Sequence, residues 1–237
     1  MIVSGTQSGQ VAVWNAENHS RVAEFKAHDV SVNAVDISPE ATKIATGSND
    51  ETACIWSLST GERLLSPLKH NDWVVAAKFS PDGRLVATAT LQFVRVYDSR
   101  NGSLLAQFTV TVSSWLNYSL AWVGDSKQLF VLSISGYIYR VDVSTGTVLS
   151  KWQIYSGRGA ESIALASDGT FVATSARSSV SFWDTTTEEQ IGIVGYTHHI
   201  KSMAMSSNYD LITSGDKSIT LWALCGTLPS HYVSVPA

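Results

Sequence analysis

No stretch of these 237 residues is rich in lysine and arginine, and the formal net charge is only -4. The electrostatic footprint of a general nucleic-acid binder is therefore missing. No apolar run approaches the roughly 18 residues that a membrane helix needs, so no membrane role is expected. The chain opens with MIVSG, which reads as a strand, where a secretory signal would place a basic segment and a long apolar core. Cysteine is scarce too: only Cys54 and Cys225 occur, each beside a recurring tryptophan in or just after an expected strand. Cys54 reads as a small buried hydrophobe, not half of a disulfide or a reactive thiol. A cytosolic or nuclear setting is the default. No Pro/Gly/Ser-rich linker or charge block divides the chain, so residues 1–237 are read as one domain.

What is present is a repeat. At 44% hydrophobic and 15% charged the chain is ample for a buried core. Trp14, Trp56, Tyr97, Val141, Trp183 and Trp222 recur at spacings of 42, 41, 44, 42 and 39 residues, each ending a short alternating run such as ETACIW or VSFW. The clearest unit runs from His28 through SVNAVDIS, a turn at Pro39, KIATGSND, ETACIWSL, the turn Ser59-Thr60-Gly61 and ERLLSPL. Each segment alternates or is β-branched and ends in turn residues, which predicts four antiparallel strands, a to d. The next unit repeats the scheme with WVVAAKFS, Pro81-Asp82-Gly83, RLVATAT, FVRVYD, Asn101-Gly102 and SLLAQF. Four short strands in about 42 residues are the mark of a propeller blade. The units fall at approximately 1–27, 28–69, 70–112, 113–155, 156–197 and 198–237.

Ala27-His28, Lys69-His70, the Ser38-Pro39 and Ser80-Pro81 turns and the closing pairs Tyr97-Asp98, Val141-Asp142 and Trp183-Asp184 give the chain a resemblance to the WD40-repeat β-propeller family. The resemblance extends over essentially the whole chain. It implies an all-β fold and, in each regular blade, a buried hydrogen-bond network of a strand c Trp, a strand b Ser/Thr, a turn Asp and the His before strand a. Reading back from the tryptophans gives His28, Ser48, Asp50 and Trp56 in one unit and Ser214, Asp216 and Trp222 in another. The units of Tyr97, Val141 and Trp183 depart from that pattern, and apolar packing is expected to hold strand c there.

A Ser, His and Asp converging in space could be a nucleophilic triad. Here the same set recurs in two units and ends on an indole donor that needs a partner when buried, which favours structure. Gly157-Arg158-Gly159 lacks the βα context and third glycine of a dinucleotide site, and His198-His199 has no further ligands at metal-binding spacing. No enzyme activity, cofactor or metal is expected.

The family's general pattern places partner contacts on the narrower face of the ring, at the first residues of each strand a. Carried over, these are Ser31 and Asn33, Trp73 and Val75, Leu116 and Tyr118, Gly159 and Glu161, and His199 and Lys201. Trp73 stands out: an exposed aromatic there suits an interface anchor, while the alternative is a lid folded over its own blade.

The chain begins at a strand b equivalent, so six units sum to 23 strands, one inner strand short of 24. We expect six blades with the first lacking its innermost strand, which invites self-association; the alternative is a fragment of a seven-bladed or larger array. The expected role is a non-catalytic scaffold or recognition module for a protein or peptide, with no nucleic-acid or membrane partner. The alternatives are a small-molecule or sugar-binding propeller, or a sensor fragment of a larger signalling NTPase.

Overall fold

The computed structural model describes residues 1–109, 119–133, 135–155, 160–195, 199–206, 208–215, 218–224, 227–229 and 231–232. These residues fold into six small antiparallel sheets in a ring, a six-bladed β-propeller. The first blade has three strands, β1 (Ile2–Gly5), β2 (Gln10–Trp14) and β3 (Arg21–Lys26). The second has β4 (Val32–Ile37), β5 (Lys43–Ser48), β6 (Thr52–Ser57) and β7 (Leu68–Lys69). The third has β8 (Ala76–Phe79), β9 (Leu85–Ala89), β10 (Phe93–Asp98) and β11 (Leu104–Thr109). In the fourth are β12 (Ser119–Trp122), β13 (Gln128–Leu132), β14 (Tyr137–Asp142) and β15 (Thr147–Gln153), and in the fifth β16 (Ala160–Leu165), β17 (Phe171–Ala176), β18 (Ser179–Asp184) and β19 (Gln190–Gly195). The sixth has β20 (Ser202–Met205), β21 (Asp210–Gly215) and β22 (Ser218–Ala223).

The expected fourth strand of the sixth blade, at 230–235, lies mostly outside the described residues; His231 and Tyr232 within it form a turn. Strand d of the second blade is also shorter than expected. The run at 62–68 pairs only through a Trp56–Arg63 bridge and then through β7. Pro67 stands between the two, and a proline cannot donate to a ladder.

Burial explains why the middle strands read as nearly continuous apolar runs. β5 and β6 are buried along both faces because blades stack side by side around the ring, whereas the outermost strands, such as β15, keep an exposed face. Each seam is an apolar face of one blade against the face of the next that carries the strand c aromatic, or Val141 in the fourth blade. Val11 and Val13 meet Ile44 and Trp56; Phe130 and Ile138 meet Val172 and Trp183; Phe171 and Phe182 meet Leu211 and Trp222. A fully buried side chain of this size contributes about 1.5–3 kcal/mol, so the seams hold the ring together. Gly9 shows how tight the links are. At φ +83 it carries the carbonyl that accepts both the Ala27 and the His28 amides, and a Cβ there would lie 1.9 Å from the His28 oxygen.

Neighbouring inner strands run the same way. Ser119 Oγ accepts from the Ile163 amide at 3.1 Å and Ser162 Oγ from the Met203 amide at 3.0 Å. The starts of strands a therefore gather on one side of the ring.

Candidate functional site

Two layers make up the site: a set of buried polar pins that fix each blade, and the loop-and-strand starts above them. In the second blade the pin centres on Thr46. His28 Nδ1 lies 2.8 Å from Asp50 Oδ2, His28 Nε2 lies 2.6 Å from Thr46 Oγ1, and Trp56 Nε1 donates to Thr46 Oγ1 at 2.9 Å. A carboxylate only accepts, so His28 carries its proton on Nδ1; an indole only donates, so the Thr46 hydroxyl proton turns to His28 Nε2. Burial pushes the Asp50 carboxyl upward, but hydrogen bonds from Thr52 and His28 outweigh it and hold the group below its ordinary value.

The hydroxyl in this position is thus Thr46, not Ser48. Ser48 Oγ instead accepts from the Asp50 amide at 3.1 Å and shapes the turn. In the sixth blade the hydroxyl is displaced by one residue: Trp222 Nε1 donates to Thr213 Oγ1 at 3.3 Å, leaving Ser214 outside the pin, while Asp216 lies outside the described residues.

The pattern is wider than the sequence suggested. Trp14 donates to Ser4 Oγ at 3.0 Å and Trp183 to Thr174 Oγ1 at 3.0 Å. In the third blade His70 Nε2 lies 2.9 Å from Thr88 Oγ1 and 3.4 Å from the Tyr97 hydroxyl, and its Nδ1 donates to the Leu68 carbonyl at 2.9 Å. Burial pushes His70 down to about 4. In each case the hydroxyl stands two residues beyond the strand b residue paired with the aromatic: Ile44 pairs Trp56 and Val172 pairs Trp183. Counting from the aromatic fails because the hairpin between the strands varies in length. In the fourth blade the same register puts Val131 where the hydroxyl would be and Val141 where the aromatic would be.

Thr46, His28 and Asp50 form an acid–imidazole–hydroxyl chain, but Thr46 is fully buried, His28 is buried, and the Trp56 N–H occupies the hydroxyl oxygen. Burial also pushes the Cys54 thiol up to about 11, keeping it protonated. Among the described residues no group of three His, Cys, Asp or Glu could hold a metal ion, and no helix is long and apolar enough to cross a membrane.

Above the pins, the strand starts are kinked outward. The β4–β5 register shifts between Val32 and Ala34, and the β16–β17 register between Ala160 and Ser162, so Asn33 and Glu161 are extra residues at bulges. Asn33 Nδ2 reaches Asn49 Oδ1 at 2.6 Å and the Val74 carbonyl of the next blade at 3.0 Å. The Ser31 carbonyl accepts from the Asn49 amide at 3.1 Å. Asn49, which the sequence reading missed, therefore joins Ser31, Asn33 and Val74 into one corner. Trp73 stands beside it, 38% exposed, with its amide capped by Asp72 Oδ1 at 2.7 Å. Val75 is half-buried, its amide bonded to the Ala89 carbonyl. Farther round, His199 Nε2 lies 2.9 Å from Glu161 Oε1, with exposed Lys201 next to it. Leu116, Tyr118 and Gly159 lie outside the described residues. The structure thus brings together Ser31, Asn33 and the Trp73 segment at one seam, and Glu161 and His199 at another.

In the middle of the ring is a cavity of about 380 Å³ lined by inner-strand residues of the second to sixth blades. Its charged pair is Asp36 and Lys78, 3.2 Å apart, and Asp36 also accepts from the Phe79 amide.

A family model described as "WD domain, G-beta repeat" matches residues 19–57, 62–98 and 189–223. The unmatched stretch between them holds the Val141 blade. The chain is 34% identical over 157 residues to apoptotic protease-activating factor 1 of Homo sapiens, covering 61% of this chain and 12% of that protein. It is 29% identical over 142 residues to small ribosomal subunit protein RACK1y of Oryza sativa subsp. japonica, covering 58% and 42%. With actin-interacting protein 1 of Drosophila melanogaster it shares 30% identity over 123 residues, covering 51% and 20%. The chain spans less than half the length of each of these relatives.

Proposed function

Since the chain belongs to the WD40-repeat family of β-propellers, we propose that it is a non-catalytic recognition module that binds a protein or peptide across the face where the strands a begin. The observation that carries this reading is Trp73: a large aromatic left 38% exposed at a blade seam, beside the bonded corner of Ser31, Asn33 and Asn49. A rigid, hydrogen-bonded rim around a half-exposed tryptophan is the anatomy of an interface anchor, which excludes water around itself and gains most when covered. Val75, Glu161, His199 and Lys201 extend the proposed face. Two relatives point the same way by name, one a ribosomal subunit protein and one interacting with actin. Nucleic acid and membrane are not proposed as partners, because no basic run exists to attract either. A cytosolic or nuclear setting is part of the same proposal, and the free, buried Cys54 is compatible with it.

The small-molecule reading has less support. The cavity's charged pair satisfies itself, Asp36 engaging both Lys78 and the Phe79 amide. The test is affinity capture with Trp73→Ala beside the unsubstituted chain. Loss of an anchor of this kind weakens a partner by about 2 kcal/mol, roughly thirtyfold, with the thermal midpoint unchanged. Capture of the same partners in the same amounts removes the proposed face.

A further inference from the structure

The seams that follow the second, third and fifth blades are each built from two complementary halves, and the structure leaves the equivalent of one half uncovered on the sixth blade and of the other on the first. On one side, the inward pair of the second blade is Ala45 opposite Ile55, that of the third Ala87 opposite Val96, and that of the fifth Ala173 opposite Phe182. All six are buried by the following blade. The register-equivalent pair of the sixth blade is Ile212 opposite Leu221, flanked by Ile219. There Leu221 is 65% and Ile219 78% exposed. On the aromatic side, the strand b residue paired with the strand c aromatic is Ile44, Val86, Val172 or Leu211, buried in each case. Its equivalent in the first blade is Ile2, opposite Trp14, and it is 50% exposed.

We propose that the uncovered flank of the sixth blade is a docking surface for the first-blade flank of a second copy of this chain, so that the seam repeated inside the ring recurs between molecules. The argument for that occupant is complementarity already on one polypeptide. The sixth-blade flank needs an aromatic-bearing face, and the first blade presents one, with Ile2 half exposed and Trp14 partly buried. One carboxylate, Asp210, shares the sixth-blade face at the start of β21, two residues before Ile212. Ser202, Ala204 and Ser214 accompany the three aliphatic residues on one side. On the other, Arg21 and Glu24 neutralise each other in an ion pair, and Arg21 stacks over Trp14 at 5.9 Å. The contact is heterologous, the last blade of one copy on the first of the next, so it propagates instead of closing as a symmetric pair. It adds no strand to the β1 edge and is independent of the Trp73 face.

The test is light scattering on residues 1–237 across a concentration series, with Leu221→Lys and Ile2→Lys. Both sites are exposed, so the variants should fold, which circular dichroism checks. We expect the unsubstituted chain to rise above the 25.6 kDa monomer with concentration, and each variant alone to stay monomeric. Mixed together, the variants should form dimers and stop there, because each retains the half that the other has lost. A chain that remains monomeric at the highest concentration reached overturns the proposal and leaves the flanks to a blade of another polypeptide. Variants that assemble like the parent, or a mixture that stays monomeric while the parent assembles, overturn it as well.

Discussion

The second and fourth blades share strand order and the register of their two middle strands, yet opposite chemistries hold their third strands. In the second, Thr46 receives the Trp56 indole and bonds His28, which is itself held by Asp50. In the fourth, Val131 and Val141 occupy the same two places and are both buried in the apolar seam with Leu129. Hydroxyl and indole are lost together. A buried donor without its acceptor costs about 1–3 kcal/mol, whereas replacing both partners by apolar groups can be nearly neutral. The polar pin is therefore a unit, and a blade can do without it only as a unit. The fourth blade is not free of such costs. Among the described residues, the buried side-chain polar atoms without a partner are Ser150 Oγ and Trp152 Nε1, both on β15.

The largest effect should follow from giving the second blade half of the fourth blade's solution. Thr46→Val leaves both the Trp56 indole and His28 Nε2 buried without a partner, and we expect a loss of about 2–4 kcal/mol, read from urea unfolding midpoints. Adding Trp56→Phe to Thr46→Val should cost less than the sum of the two single changes, since the second removes a donor already orphaned. Strict additivity would break the comparison, because it would mean that the two side chains act independently.

How much of this was legible beforehand depended on what each signal was anchored to. Blade number, the three-stranded first blade and the strand c aromatics followed from the repeat, because burial on both faces forces an apolar run of fixed length in every unit. The pin was harder to place. Counting along the chain from the tryptophan points to Ser48 and Ser214, while the hydroxyl is fixed by cross-strand pairing. The same count misses Thr88 in the third blade, where the Leu68 carbonyl takes the place of the carboxylate. Asn49 carries no motif at all; it matters because a bulge turns Asn33 toward it, and bulges are not written in alternation. The uncovered flanks were invisible for a different reason. Leu221 and Ile219 look like any core residues, and only the ring decides whether a neighbour covers them.

The third blade offers a pH handle of intermediate size. Burial holds His70 at about 4 in the folded chain, against roughly 6.5 when unfolded. Below pH 6.5 the unfolded chain takes up a proton that the folded chain refuses, so stability falls as the pH drops and continues to fall until about pH 4. By pH 5 the loss from this residue should be about 2 kcal/mol. Comparing the pH dependence of the midpoint with that of His70→Gln isolates it: the substituted chain should lose that part of the slope. An unchanged slope would show that His70 takes up protons alike in both states.

The smallest predicted effect discriminates best between the two candidate hydroxyls of the second blade. Ser48 is as deeply buried as Thr46 and only two residues away, so burial alone assigns them equal weight. Their bonds differ. Ser48 Oγ accepts one hydrogen bond, from the Asp50 amide, in a turn where Asp50 is independently held by Thr52 and His28. Its backbone carbonyl, which receives the Val74 amide across the seam, is unaffected by substitution. Ser48→Ala should therefore cost about 1 kcal/mol or less, well short of Thr46→Val, and should leave the Trp56 environment unchanged by fluorescence. If the two substitutions cost the same, position in the cross-strand register would not be what selects the hydroxyl, and the contrast between the second and fourth blades would lose its physical basis.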